Sequence, residues 1–347
     1  MDLVLRLADD YVLDKVWAHL VPASAFAGTV KSNLLASAAS LNASHPLLVA
    51  DPSSTSTWLQ LVSYLPHPPL PEELLSPAVT DLPPISAWPR DYMPRQIVSL
   101  GVFTFIGIHI LYFLFAWLSY YFIFNHEMMK HPRFLKNQVR LEIIASVKAF
   151  PGMIALTLPW FVGEVRGYSK LYEDVHEYGW GYFVFSIFFF LAFTDYGIYW
   201  IHRWEHHPMW YKWLHKPHHK WLIPTPFASH AFHPLDGYFQ SIPYHLFVFL
   251  FPLHQKLYLA LFVFVNCWSI FIHDSDMITG HPLETIINGP AHHTLHHLYF
   301  TVNYGQYFTF SDRWAGSYRQ PLSELDPLLE VKRLEAEKQK KALGKDA

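Results

Sequence analysis

Sixteen of the chain's 23 histidines fall between His202 and His297. Imidazole is both the commonest metal ligand and a general acid–base near neutral pH, so the clustering asks for a chemical explanation. In Trp200-Ile-His-Arg-Trp-Glu-His-His207, His202 and His206 stand four apart, which puts both rings on one face of a helix. In Leu214-His-Lys-Pro-His-His-Lys220, His215, His218 and His219 stand at i, i+3 and i+4, and Pro217 restricts that stretch to a first helical turn or a kink. The spacing recurs as His293, His296 and His297 behind Asn288-Gly-Pro290, a helix-start signal. A lone histidine on an apolar face is more often a packing residue than a ligand, but three clusters at helical spacing reverse that weighting. One structural zinc needs only four ligands. Eight imidazoles therefore point to two cations with open positions, and nitrogen donors suit iron, zinc or copper rather than magnesium or calcium.

The remaining histidines divide by position. His273 closes a long apolar run just before Asp274 and joins the metal set. His230 and His233 stand as ligands or as hydrogen-bond donors to ligands, and His207 and His292 point away from their neighbours' face, toward outer contacts. His109, His245, His254 and His281 read as packed or loop residues. Asp195, seven residues before His202, is costly in hydrocarbon and is expected to orient a ligand imidazole through its second nitrogen. Asp195 and His233 make up the catalytic set beside the metal ligands.

The elements that must position these groups are membrane helices. The 347 residues are 52% hydrophobic and 15% charged, against roughly 25% charged in soluble domains. A net charge of -3 lacks the basic surplus that nucleic-acid binding requires. The single cysteine, Cys267, rules out an internal disulfide, a cysteine zinc site and an Fe–S cluster. Ile97–Phe124 holds no Asp, Glu, Lys or Arg and exceeds the roughly 20 residues that cross a bilayer core. Further spans are expected over Leu141–Gly163, which Pro151 and two charges weaken, and over Gly181–Ile201. Gly237–Ile272, broken at Pro252-Leu-His-Gln-Lys256, is expected to be a helical hairpin with both ends on one side. The fold class is an all-α integral membrane protein with four to five membrane helices and a histidine-rich helical cap.

Lys130, Arg133, Lys136 and Arg140 follow the first span, and Arg203, Lys212, Lys216 and Lys220 follow the third. By the positive-inside rule both loops, and with them the cap, are cytosolic. The expected organisation is a lumenal, partly irregular arm over 1–96, membrane helices over 97–201, the catalytic region over 202–320 including the 237–272 hairpin, and a charged tail over 321–347. Asn42-Ala43-Ser44 in the arm is an N-glycosylation triplet.

Longer strings around the histidines carry a resemblance: Phe193-Thr-Asp-Tyr-Gly-Ile-Tyr-Trp-Ile-His-Arg-Trp, His215-Lys-Pro-His-His-Lys-Trp with Pro224-Thr-Pro-Phe-Ala, Phe232-His-Pro-Leu-Asp-Gly, and His292-His-Thr-Leu-His-His with Asn303-Tyr-Gly-Gln-Tyr-Phe. Over roughly residues 97 to 320 the chain resembles the fungal sterol C5-desaturases of the membrane fatty acid hydroxylase superfamily. The resemblance implies a non-haem enzyme of the endoplasmic reticulum membrane with two iron ions. It also implies O2 and a Δ7-sterol, episterol-like, as substrates, and electrons passing from NAD(P)H through cytochrome b5 and its reductase. It carries the H-x3-H box onto His202 and His206, and the two H-x2-HH boxes onto His215, His218, His219 and His293, His296, His297. A further box matches only at His273, with Met277 at its second position. Phe185, Phe188, Phe189, Phe190, Tyr196 and Tyr199 are expected to form an apolar wall for a flat lipid. A di-iron hydroxylase or methyl oxidase of another lipid, a histidine-rich metal transporter and a metal-stabilised scaffold are the competing readings. A transporter should hold its ligands at mid-membrane depth, whereas these boxes lie outside the uncharged runs.

Overall fold

The computed structural model describes residues 1–26, 57–70 and 84–343; the Asn42 triplet lies outside them. The chain divides into two compact units, Met1–Leu100 and Gly101–Ala347. In the first, helices α1 (Asp2–Ala8) and α2 (Asp14–Leu20) are joined by a π turn at Asp9–Leu13, and α3 spans Thr57–Val62. Trp17, Val21, Phe26, Val62 and Trp88 form a small core of their own. Buried Arg95 reaches Asp9 at 2.5 Å and Asp14 at 2.6 Å, while Arg90 takes Asp10 and Asp14. The described part of the arm is therefore locally well packed, although its helices are short.

The long helix α4 (Met93–Phe122) runs from the first unit into the second. At 1.5 Å per residue its 30 residues extend roughly 45 Å, more than a bilayer core. Three more helices are long and apolar enough to cross: α5 (Gln138–Val165), α6 (Gly179–Glu205) and, after the hairpin turn, Gln255–Ile272. Despite Pro151 and Pro159, α5 is one continuous helix of 28 residues. Its awkward Glu142 is a fastener: it accepts from Gln138 Nε2 at 2.7 Å and from the backbone N–H and hydroxyl of Thr225. Ser146 and Tyr112 add hydrogen bonds to the carbonyl of Phe227 at 3.1 and 2.9 Å, so three helix side chains pin the cap loop around residues 225–227.

After a short helix α7 (Pro208–Tyr211), the expected hairpin is present as α8 (Pro234–Leu250) and α9 (Gln255–Ile272). Its tip, Leu253–His254, pairs in parallel with Leu171–Tyr172 in the loop between α5 and α6. That pairing places the hairpin tip and the loop between α5 and α6 at one end of the bundle. At the other end the C-termini of α6 and α9 and the N-termini of α5 and α8 face the cap, which holds α10 (Pro290–Tyr299), α11 (Phe310–Trp314) and the tail helix α12 (Pro327–Leu343).

Helix packing depends on close approach at small residues, as membrane interfaces require. A Cβ added at Gly197 on α6 would lie 2.7 Å from Pro243 on α8. Gly197→Leu is therefore expected to push these helices apart and to lower stability by about 1–3 kcal/mol. A lower unfolding temperature in detergent, with Gly181→Leu at an open position as control, is the check. The expected aromatic wall does not exist as one surface. Phe190 and Tyr199 are buried, whereas Phe185, Phe188 and Tyr196 are exposed, because residues 100° apart on a helix cannot all face one way.

Candidate metal centre

His202 lies in the last turn of α6 and His206 caps it, and His215, His218 and His219 sit on turns after α7. His273 caps α9, and His293, His296 and His297 lie on α10. These nine converge as two groups. His202, His206, His215, His219 and His296 form one, and His218, His273, His293 and His297 the other, each with its ligand atoms within 4.8 Å of one another. In the first group the Nε2–Nε2 separations are 3.0 Å for His202–His215, 3.1 Å for His219–His206 and His219–His215, 3.0 Å for His296–His219 and 3.2 Å for His206–His296. In the second they are 3.0 Å for His293–His273, 3.1 Å for His297–His293 and 3.3 Å for His273–His218.

The boxes divide according to helical geometry. Residues at i and i+4 point within about 40° of each other, while neighbours point about 100° apart. Hence His293 and His297 share a group and adjacent His296 goes to the other. Similarly, His215 and His219 share a group while His218 crosses over. Spacing predicted a single shared face for each triplet; instead each triplet links both groups, giving two ligands to one and one to the other.

Hydrogen bonds on the far side of the rings fix their tautomers. A carbonyl can only accept, so the Nδ1–H groups of His202, His296, His297 and His273 donate to Tyr304, Val302, Trp221 and Ser269 at 2.9, 2.7, 2.9 and 2.6 Å. His215 Nδ1 donates to Asp236 at 2.8 Å. Each of those rings therefore aims an unprotonated Nε2 lone pair inward. Lone pairs about 3 Å apart repel, and a cation at the focus converts the repulsion into coordination. Burial, then repulsion from neighbouring imidazoles, holds His218, His219, His293, His296 and His297 well below the ordinary value. His273 is lowered to about 3, chiefly by burial. Neutral imidazole is the form that binds metal, so both groups fit a cation held by nitrogen alone.

Asp195 bonds a loop rather than an imidazole. Its Oδ1 accepts from the backbone N–H groups of Gln306, Tyr307 and Phe308 at 3.0, 2.6 and 3.1 Å. It thereby holds the loop whose Tyr304 carbonyl receives His202. Asp312 does the same from the other side, accepting from the N–H groups of Tyr304 and Gly305. Asp195→Ala strands one buried and two part-buried N–H groups, the buried one costing about 1–3 kcal/mol. The expected result is weaker metal retention in the five-histidine group, measured by chelator competition, with the four-histidine group unaffected.

The carboxylate that does touch a ligand is Asp236, in the first turn of α8, with Glu205 and Gln240 beside it. Sequence reasoning passed over it; the available signal was an acid in the first turn of an otherwise apolar helix. His233 is not among the converging rings: it caps α8, its Nδ1 accepting from Leu235 N–H at 3.2 Å. His230 pairs with Ser229 and Asn266, His207 caps α7, and His292 is buried against Tyr318. Met277 packs with Ala291 and Leu295, so the second group is four histidines without it.

Residues 187–317 match the family model described as Fatty acid hydroxylase. The chain is 56% identical over 253 residues to a Delta(7)-sterol 5(6)-desaturase of Gibberella zeae, covering 73% of this chain and 78% of the relative. It is 46% identical over 327 residues to a Delta(7)-sterol 5(6)-desaturase of Leptosphaeria maculans, covering 94% and 88%. Against the human lathosterol oxidase it is 56% identical over 240 residues, covering 69% and 80%. No solved structure matches the chain. With identity at this level across most of both chains, and nine histidines, eight of them buried, gathered in two groups beside apolar helices, this multi-pass membrane protein belongs to the sterol C5-desaturases of the fatty acid hydroxylase superfamily.

Proposed function

We propose that the chain desaturates Δ7-sterols between C5 and C6. The overall change is one sterol, one O2, two electrons and two protons giving a 5,7-diene and two waters. The observation that carries this reading is the pair of all-histidine groups tied together by shared boxes, set in a chain whose relatives bear that activity in their names. His202, His206, His215, His219 and His296 would hold one iron, and His218, His273, His293 and His297 the other. A bound iron pair supplies the redox chemistry, activating O2 and removing hydrogen from an unactivated C–H.

The chain's own residues hold that pair in place and keep it dry. The carbonyls of Tyr304, Val302, Trp221 and Ser269 and the carboxylate of Asp236 fix five rings, and eight of the nine histidines are buried. Asp195 acts as a positioning residue through its loop, and His233 through the helix start that presents Asp236. A flat, rigid substrate held with both C5 and C6 hydrogens toward the site favours loss of the second hydrogen over oxygen insertion.

The location that fits is the endoplasmic reticulum membrane, with the histidine cap cytosolic and the 166–178 loop lumenal. Cytochrome b5 and its reductase would deliver electrons from NAD(P)H, and exposed Lys212 and Lys216 offer charge for an acidic donor. In sealed microsomes a cysteine placed at Lys212 should react with an impermeant thiol reagent, and one at Asp174 should not. The deciding experiment supplies membranes containing the chain with a Δ7-sterol, NADH and O2. A conjugated 5,7-diene is expected, and an oxygenated sterol as the main product would instead make it a hydroxylase.

A further inference from the structure

Beyond the four long helices, the cap carries an apolar surface of its own. The turn Pro282–Thr285 and helix α11 form one unit: Thr309 N–H donates to Ile286 O at 2.9 Å, and Thr309 Oγ1 to Thr285 O at 2.6 Å. Arg313 Nε adds a bond to Thr285 O at 3.2 Å. Such a hydrogen-bonded pair of segments would ordinarily turn polar side chains outward. Instead Ile286, Phe310 and Trp314 are 59%, 68% and 65% exposed, with Leu283 half-exposed beside them.

That surface continues the lipid-facing side of α6. Tyr196 and Trp200 are exposed one turn apart on that helix, with rings 6.3 Å apart, and Trp314 stands edge-on to Trp200 at 6.3 Å. Arg203 ties the two together, its Nη1 donating to Ala315 O at 3.0 Å and its guanidinium lying 5.9 Å from the Trp200 ring. Tryptophans at the end of a span with a cation just beyond mark the headgroup level of a bilayer.

We infer that the unit formed by Pro282–Thr285 with its C-cap Ile286 and by Phe310–Trp314 is an interfacial foot, whose apolar side chains insert into the acyl–headgroup boundary of the membrane beside α6. The occupant is lipid, because the surface runs on from the exposed apolar face of a helix long and apolar enough to cross a membrane. The inference concerns the placement of the cap and holds whatever reaction the histidines support.

The test uses the full chain in a Cys267→Ser background, that cysteine being only half-buried in α9. Single cysteines replace Ile286, Phe310 or, on the tail helix, exposed Lys332, and each carries a small fluorophore. The protein is reconstituted into phosphatidylcholine vesicles with or without bromine on the acyl chains. At Ile286 and Phe310 brominated lipid should quench at least about twofold, as for groups some 5–10 Å into the boundary, and iodide should quench little. The Lys332 label should show the reverse. Iodide quenching at the foot equal to that at Lys332, or shielding from both quenchers as in a protein contact, would overturn the inference. Leu283 supplies a further labelling site should one variant fail to fold.

Discussion

His218→Gln and His219→Gln, although adjacent, are expected to strip different metals. His219 lies 3.0–3.1 Å from three other Nε2 atoms of the five-histidine group, and His218 reaches His273 in the four-histidine group. An outer partner of a ligand is worth 10–100-fold in affinity, so losing the ligand itself should cost more than about 100-fold. Each variant should fall from about two bound ions per chain to about one, and under the proposed two-ion reaction turnover should vanish in both. Double variants separate them: His218→Gln combined with His219→Gln should lose both ions, whereas His218→Gln combined with His293→Gln, within one group, should keep one. Loss of the same ion from both variants would refute the division into two groups.

Asp236→Asn should carry the second large effect. The carboxylate is fully buried and serves two donors, His215 Nδ1–H at 2.8 Å and Gln240 Nε2 at 2.7 Å on its other oxygen. Asparagine has one oxygen, so one donor must then face an NH2 group. Where that donor is His215, the ring turns away or shifts its proton to Nε2 and blocks its own lone pair. The expected result is a 10–100-fold loss of affinity in the five-histidine group, read by chelator competition. The four-histidine group should bind as before, and an affinity within about twofold of the unaltered chain would show that Asp236 does not set the ring.

Much of this was legible in the residue order because it depends on local periodicity. The uncharged run Ile97–Phe124 predicts a span that the structure shows as the helix Met93–Phe122, and Pro252 predicts the turn between α8 and α9. All nine converging histidines could be named from their spacing and from His273's place at the end of an apolar run.

What the residue order could not supply depends on contacts between distant segments. Whether Asp195 touches an imidazole or a loop depends on residues 306–308, more than a hundred positions away. His215 and Asp236 meet only because α8 returns its first turn to the cap. Met277, one helical turn from His273 by spacing, lies outside the helix, which ends at Ile272, and packs into an apolar cluster. Spacing determined that the histidines could bind metal. The tertiary structure decided which of them meet, because a helix fixes the angle between neighbouring side chains and only the packing of helices against one another determines what each angle faces.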